Sequence, residues 1–244
     1  MAGFKTHITT SSLLGVVYGG GGLALGVPLS TCLLAGGLCS VSGMLPDLDS
    51  DSGIPLRESI AFSAAVVPML MIERFEQLGL DHEQMVLAAG LIYLLIRFVI
   101  AGVFKRYTVH RGMWHSIPAA ATVGLVAFMI CQCEEISLRV FKSGGVVLGF
   151  MSHLVLDEIY SVEMKRGRMR LKKSFGTALK FWGNRTWANI STYGKLIAVI
   201  ALAFGDQMYM ASLEHLQGGA ADTTQAAHRI VEQLKDAATD GQRR

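Results

Sequence analysis

Charged residues are scarce in this sequence. Asp, Glu, Lys and Arg make up 17% of its 244 residues, whereas soluble globular domains carry about 25%. Hydrophobic residues make up 51%, and apolar runs recur through residues 11–210 without a long polar insert. This composition excludes an ordinary soluble enzyme. We predict an integral membrane protein of the all-α class, a polytopic bundle of transmembrane helices.

Cysteine is scarce too, which excludes a disulfide framework. The four cysteines, Cys32, Cys39, Cys131 and Cys133, lie in or beside apolar runs, where a thiol behaves as a small hydrophobic side chain. No small-residue cleavage site precedes the first apolar run, so we expect that segment to remain in the mature protein. The glycines at residues 19–22 lack the Lys-Ser or Lys-Thr of a nucleotide-binding loop. They predict a close helix-packing seam instead.

Six or seven transmembrane helices are expected, because a helix needs about 20 apolar residues to cross a bilayer. The apolar runs cover residues 11–27, 29–45, 59–72, 85–104, 117–131, 146–160 and 196–210. The third, short and interrupted by Pro68, is the weakest. Together they predict one membrane-embedded domain, residues 1–210, followed by a polar tail, residues 211–244. Within the domain, a basic segment at about 163–190 predicts an interfacial helix.

The loops between these runs differ in the sign of their charge. One loop is acidic, with Glu73, Glu76, Asp81 and Glu83, whereas the loop with Lys105 and Arg106 and the later residues 165–173 are basic. Basic loops of membrane proteins stay in the cytoplasm. With seven spans, the candidate metal ligands then all lie at the cytoplasmic face of the membrane. If the third run does not cross, the aspartates after the second run lie opposite the histidines.

The first candidate motif is a histidine and an aspartate four residues apart. On a helix His153 and Asp157 lie on one face, one turn apart, so both can ligate the same ion. The alternative is a hydrogen-bonded pair at a helix end. The neighbouring Glu158 is expected to point elsewhere, into solvent.

A second motif, Leu-Pro-Asp-Leu-Asp, ends the second apolar run with Asp47 and Asp49. In an extended backbone residues i and i+2 face the same way, which presents two carboxylates together. Paired carboxylates suit hard divalent ions. A turn closed by the aspartate side chains is the alternative.

The third motif contains His110 and His115, which are five residues apart and so do not share a helix face. We expect a loop wrapped around a ligand. Ser116 is predicted to cap the following helix, with Pro118 in its first turn. Arg111 would offer a forked donor to a phosphate or another oxyanion. Trp114 is expected to anchor at the membrane interface.

Together these motifs resemble the YdjM-like family of membrane-bound, metal-dependent hydrolases of the bacterial inner membrane. The resemblance covers roughly residues 5–160. It implies a multi-helix bundle with a divalent metal at the cytoplasmic face and hydrolase activity. Ser50 stands where members often carry a histidine, so that ligand is either absent or supplied by Asp51. The matching residues are His7, Leu45-Pro46-Asp47-Leu48-Asp49, His110-Arg111-Gly112-x-x-His115-Ser116 and Leu148-Gly149-x-x-Ser152-His153-x-x-x-Asp157.

The resulting hypothesis is a hydrolase that activates a water with a divalent metal at the cytoplasmic membrane surface, on a phosphoester or lipid-linked substrate. The expected ligands are His7, Asp47, His115, His153 and Asp157. Asp49 is expected as a second ligand or general base, His110 as a proton shuttle, and Arg111 as a stabiliser of negative charge. Mixed His and Asp ligation suits Zn best here, with Mn or Fe as alternatives.

A different class of function is also open: an ion carrier, or a scaffold with a structural metal. In either case the same cluster would be a polar pathway or a structural site. The basic residues 165–185 are expected to contact anionic lipid headgroups, and no nucleic-acid partner is expected.

Overall fold

The computed structural model describes residues 3–49, 54–100, 102, 113–133, 135–165, 168–171, 176, 178–206 and 211. The chain divides into two compact units, Met1–Ile200 and Ala201–Arg244. The first unit contains every candidate site residue. The predicted polar tail lies outside the described residues except for Ala211.

The described part of the chain is predominantly helical, as predicted for a membrane helix bundle. Ser116 caps the helix Ile117–Ile130, as predicted. Asp81 also caps the helix His82–Leu94, through a reciprocal capping box with Gln84. A 3-10 turn, Leu45–Asp49, follows α2, and a π-helical turn, Leu95–Ile100, continues α5. The helices are α1 Phe4–Ala24, α2 Leu29–Ser42, α3 Ile54–Leu70, α4 Ile72–Gln77, α5 His82–Leu94, α6 Ile117–Ile130, α7 Ile136–Ile159 and α8 Thr186–Asp206.

Four helical segments of the described chain are long and apolar enough to cross a membrane: Leu29–Asp47, His82–Ile100, Ile136–Ile159 and Thr186–Asp206. The predicted count of six or seven is not confirmed. Helix α6 is apolar but has 14 residues, a length of about 21 Å, short of the ~30 Å hydrocarbon core. The structure therefore supports a polytopic membrane protein without fixing every crossing.

Helices α1, α2 and α7 form the core of the bundle, and glycines allow them to pack closely. A Cβ on Gly19 would meet the Cys32 carbonyl oxygen at 2.8 Å, and one on Gly145 would meet that of Ala35 at 2.6 Å. A Cβ on Gly149 would collide with the backbone of Cys39. Small residues let membrane helices approach this closely. The predicted glycine seam is confirmed at Gly19 and Gly22, whereas a Cβ on Gly20 or Gly21 would meet nothing within 4 Å.

At one end of the bundle, basic side chains bind carbonyl groups in the last turn of α6 and just beyond it. Arg74 donates to the Met129 oxygen at 3.0 Å, and Arg139 donates to the Phe128 oxygen at 3.1 Å. Lys142 donates to the Gln132 oxygen at 3.4 Å. Cations at a helix C-terminus satisfy carbonyls that lack a helical partner and oppose the negative end of the dipole.

The predicted basic interfacial helix is wrong for the described residues between α7 and α8. A two-stranded antiparallel hairpin, β1 Val162–Lys165 and β2 Arg168–Leu171, occupies its first part. Its register pairs Val162 with Leu171 and Lys165 with Arg168. Apolar and charged residues alternate here with a period of two, which favours a strand over a helix.

Candidate metal centre

Helix α7 supplies two of the candidate ligands at one end of the bundle. His153 is fully buried and Asp157 is 6% exposed, and the two lie one helical turn apart. His153 Nε2 is 3.7 Å from Asp157 Oδ2. The His153 Nδ1 atom lies 2.7 Å from the Gly43 carbonyl oxygen. A carbonyl only accepts, so Nδ1 carries the proton and Nε2 presents its lone pair to the cluster.

Helix α1 brings His7 to the same place. His7 lies on the buried face of α1 that continues through Ser11, Gly15 and Gly19. Its ring stacks on that of His153, with centroids 3.6 Å apart and planes 10° from parallel. Its Nε2 atom is 3.4 Å from Asp157 Oδ1. The Ser11 hydroxyl donates to the Ser40 carbonyl at 2.7 Å, which fixes this end of α1 against α2.

Asp47 enters the cluster from the 3-10 turn after α2. Its Oδ1 atom lies 3.5 Å from His153 Nε2 and 3.8 Å from His115 Nε2. The expectation of an extended backbone here is wrong. In a 3-10 helix, with three residues per turn, residues i and i+2 do not face the same way.

His115 reaches the cluster from the segment before α6. The next residue, Ser116, caps the helix by accepting from Ala119 N–H, and Pro118 lies in its first turn. Both predictions for this helix start are confirmed. The His115 ring lies 5.7 Å from that of His153, edge to face. His115 itself is 2% exposed, so this imidazole is held inside the protein.

The five side chains form two overlapping groups able to hold a metal ion, His7–Asp47–His153 and His115–His153–Asp157. The groups share His153, whose Nδ1 is engaged by Gly43 and whose single remaining ligand atom can serve one ion. The four His–Asp pairs in the cluster have nitrogen–oxygen separations from 3.4 to 3.8 Å, and all ligand atoms within each group lie within 4.8 Å of one another. Ligands about 2.1 Å from a common metal are about 3.0–3.6 Å apart along the edges of its coordination polyhedron. The geometry thus suits one ion better than two.

The burial of two ligand nitrogens also indicates a metal site. His153 Nε2 and His7 Nδ1 are buried side-chain atoms without a hydrogen-bond partner among the described residues. A buried nitrogen that makes no hydrogen bond is costly unless something else engages it. The two carboxylates together carry a charge of −2, which a divalent cation would balance. The residues present therefore fit a divalent metal with nitrogen and oxygen ligands.

Three predicted site residues are not placed by the structure. His110 and Arg111 lie outside the described residues. Asp49 ends the 3-10 turn, but its side chain is not described. The five residues expected as metal ligands are all brought together, whereas the three expected to act on substrate or protons stay predictions.

Two residues that support the cluster were missed or misread from sequence. Gly43 was not singled out, because its contribution is a backbone carbonyl that leaves no side-chain signal. Trp114 is not simply a membrane anchor: its indole N–H donates to the Leu45 carbonyl at 2.8 Å, and its ring meets Phe150 edge to face at 6.3 Å. It ties the turn bearing Asp47 to the segment bearing His115.

Comparison with known families bears on these residues directly. A family model described as YdjM inner membrane protein matches residues 1–171. The chain belongs to the YdjM inner membrane protein family. The YdjM match confirms the resemblance seen in the motifs and includes all five clustered side chains, and it ends before α8. No curated protein and no solved structure matches the chain.

Proposed function

We propose that this YdjM-family protein is a metal-dependent hydrolase whose site faces the cytoplasm at the membrane surface. The observation that carries the proposal is the meeting of three imidazoles and two carboxylates around His153 Nε2, a buried atom that makes no hydrogen bond with the described residues. A divalent ion held there, Zn by preference, would supply Lewis acidity and activate a water at neutral pH. A phosphoester is the substrate that best suits such a site beside a basic membrane surface.

The chain's own residues would hold and orient the reactants. His7, Asp47, His115, His153 and Asp157 hold the ion, with Gly43 fixing the His153 tautomer. Asp49, two residues beyond Asp47, is assigned as general base or further ligand. His110 carries a proton to the leaving group, and Arg111 binds the developing negative charge.

The side of the membrane on which the site lies follows from whether the number of helix crossings between the ligands is even or odd. His7 begins α1 and Asp47 follows α2, while His115 precedes α6 and Asp157 ends α7, so each pair of helices leaves one end of the bundle and returns to it. Because Asp47 and His115 meet, the chain between them crosses the membrane an even number of times. One crossing each by α3 and α5 would make six crossings in all, or seven when α8 is included. The basic loops put the shared end in the cytoplasm.

The competing function is that of a carrier or a scaffold. A carrier needs polar groups along the length of its pathway, whereas these ligands gather at one end of the bundle. A scaffold with a structural metal has the same ligands but no turnover. Metal content and hydrolysis, measured together, separate the three functions.

The test uses the full chain purified in detergent, with metal measured by elemental mass spectrometry. His153→Ala and Asp157→Asn are compared with His82→Ala and Asp81→Asn, matched changes at exposed positions at the start of α5. We expect one ion per wild-type and control chain, lost in the site variants. Hydrolysis of a chromogenic phosphodiester, screened with Zn, Mn and Fe, should follow the metal. No metal in folded wild type contradicts the proposal, and bound metal without hydrolysis indicates a scaffold.

A further inference from the structure

The segment between the hairpin and α8 crosses the end of the bundle where the metal ligands gather. We name residues 178–187, which include this segment and the first two residues of α8, the aromatic strap, after Phe181, Trp182 and Trp187. It lies beyond the five ligands in sequence and beyond the end of the family match at residue 171. The strap is nonetheless attached to the helices that carry those ligands.

Its first attachment is to α7, next to a candidate ligand. Glu158 follows Asp157 and was expected to be solvated. Instead, its carboxylate accepts hydrogen bonds from the backbone N–H groups of Gly176 and Ala178. Ala178 is buried. The start of the strap is therefore held at the end of α7.

Its second attachment is to the start of α6. The Ile117 N–H donates to the Lys180 carbonyl at 3.2 Å, two residues from His115. Gly183 packs on Met113, whose Sδ atom would lie 3.0 Å from a Cβ placed there. The strap thus bridges the two chain segments that bring His115 and Asp157 to the site.

The strap is attached thirdly to α8, and this attachment places the strap at one level of the membrane. The Asn189 side chain in α8 both accepts from Gly183 N–H and donates to the Gly183 carbonyl, each at 2.8 Å. The Tyr193 hydroxyl donates to the Phe181 carbonyl at 2.9 Å. The most apolar stretch of α8 is wholly unburied, so its natural surroundings are lipid. The strap, at the N-terminal end of a lipid-embedded helix, lies at the level where the membrane meets water.

Large aromatic side chains point outward at this level. Trp182 is 67% exposed and Trp187 is 78% exposed. Such rings prefer the interface between headgroups and hydrocarbon. Residues 165–185 also contain eight Lys and Arg and no Asp or Glu, a charge that complements anionic headgroups. Aromatic exposure and charge both point to a lipid surface as the occupant.

The candidate metal ligands lie at the same level of the membrane as the aromatic strap. His153 is six residues from the end of α7, about 9 Å, and Asp157 is two residues from it, about 3 Å. The polar layer on each side of a bilayer is about 5–8 Å thick. A bond cleaved at this site therefore lies near the boundary between headgroup and acyl chain.

We propose that the aromatic strap docks on the anionic headgroup layer, and that the site acts on a membrane lipid through a phosphoester in its headgroup. The lipid contact stands on the structure of the strap alone. The identity of the substrate rests on the proposed hydrolase function. The two parts are tested by different measurements.

The lipid contact is tested by tryptophan fluorescence of the full chain in vesicles of phosphatidylcholine and phosphatidylglycerol. Wild type is compared with the Trp182→Phe/Trp187→Phe double variant, which retains only Trp114 near the site. Lipids brominated near the headgroup end of the acyl chain should quench the strap signal strongly, and the double variant should lose that component. Quenching by aqueous iodide instead, or by neither quencher, overturns the proposal. The second outcome would mean that protein, such as a second copy, covers the strap.

The substrate is tested by competing a phospholipid in vesicles against its deacylated, water-soluble glycerophosphoester, which contains the same scissile bond. We expect the lipid to be hydrolysed at least about tenfold faster, because binding energy from the remote apolar chains contributes to the rate. Trp182→Ala/Trp187→Ala should reduce that preference without changing metal content. Equal rates overturn the lipid substrate but leave the hydrolase intact. Absence of hydrolysis of either compound removes the hydrolase function, while the quenching result stands by itself.

Discussion

His153 of α7 and Gly43, the residue that follows α2, are joined by a hydrogen bond of 2.7 Å from the imidazole Nδ1 to the backbone carbonyl. This contact does two things. It selects the tautomer that presents Nε2 to the cluster. It also fixes the position of α7 relative to the turn that carries Asp47. Second-shell contacts of this kind orient histidine ligands in metal sites.

The first prediction concerns the atoms around the bound metal. With Zn loaded, X-ray absorption should show only nitrogen and oxygen neighbours at about 2.0–2.1 Å, imidazole among them. Cys39 packs beside Ser11 and donates its thiol to the Ser11 carbonyl at 3.7 Å, so its sulfur is already engaged. A sulfur neighbour at about 2.3 Å, or metal content reduced by Cys39→Ser, would contradict the assigned ligand set.

The second prediction concerns the glycine at the crossing of α2 and α7. Gly149→Ala would force a Cβ into the backbone of Cys39, so the helices must separate. Overpacking of this kind costs about 1–3 kcal/mol. We expect reduced thermal stability in detergent and weakened metal binding, because His153 lies one turn away.

Gly20→Ala is the matched control, since a Cβ there meets nothing within 4 Å. It should leave stability and metal content at the wild-type level or slightly above. Equal behaviour of the two alanine variants would show that α2 and α7 do not need this close approach.

The third prediction separates stability from the site. Arg139 is buried, donates to the Phe128 carbonyl and lies 4.2 Å over the Phe128 ring. Arg139→Met keeps much of the packing but removes the donor and the charge, so we expect a loss of about 1.5–3 kcal/mol. Position 139 is about 21 Å along α7 from His153, so metal content should not change. Loss of metal in a folded variant would refute this separation.

The fourth prediction tests orientation with the native cysteines. Cys133 is partly exposed at the turn between α6 and α7, about 30 Å along the helix from the site. Cys131 is buried, so the reagent cannot reach its thiol. A membrane-impermeant maleimide at neutral pH should therefore label Cys133 from the outer side of intact spheroplasts.

Cys133→Ser should abolish that labelling. Labelling of Cys133 only after the membrane is opened would place this turn in the cytoplasm. The metal ligands would then lie at the outer face, against the orientation proposed from the basic loops.

Several features of the fold and of the site could be predicted from the sequence, because the local sequence signals agree with the tertiary contacts. The spacing of His153 and Asp157 placed both on one helix face, and Ser116 and Pro118 identified the start of α6. The glycines of α1 predicted close packing, and the structure shows Gly19 against Cys32. Charge placement put the ligand-bearing segments at one end of the bundle, where the structure brings them together.

Other features depend on contacts that sequence does not display. The turn after α2 was expected to be extended, since nothing local distinguishes a short 3-10 turn from a strand end. Hydrophobic and basic residues in the segment after α7 suggested a helix, and their period of two was overlooked. Glu158 was read as solvated, because its partners at Gly176 and Ala178 lie 18 and 20 residues further along the chain.

The spread of the ligands along the chain has a consequence for biogenesis. His7 emerges first from the ribosome and Asp157 last, with Asp47 and His115 between them. A chain that ends before the C-terminal part of α7 holds only part of the set, so metal cannot be captured tightly while α1 and α2 are being inserted. Loading of the ion is therefore a post-insertion event. Bound metal therefore indicates that α7 has packed against the hairpin of α1 and α2.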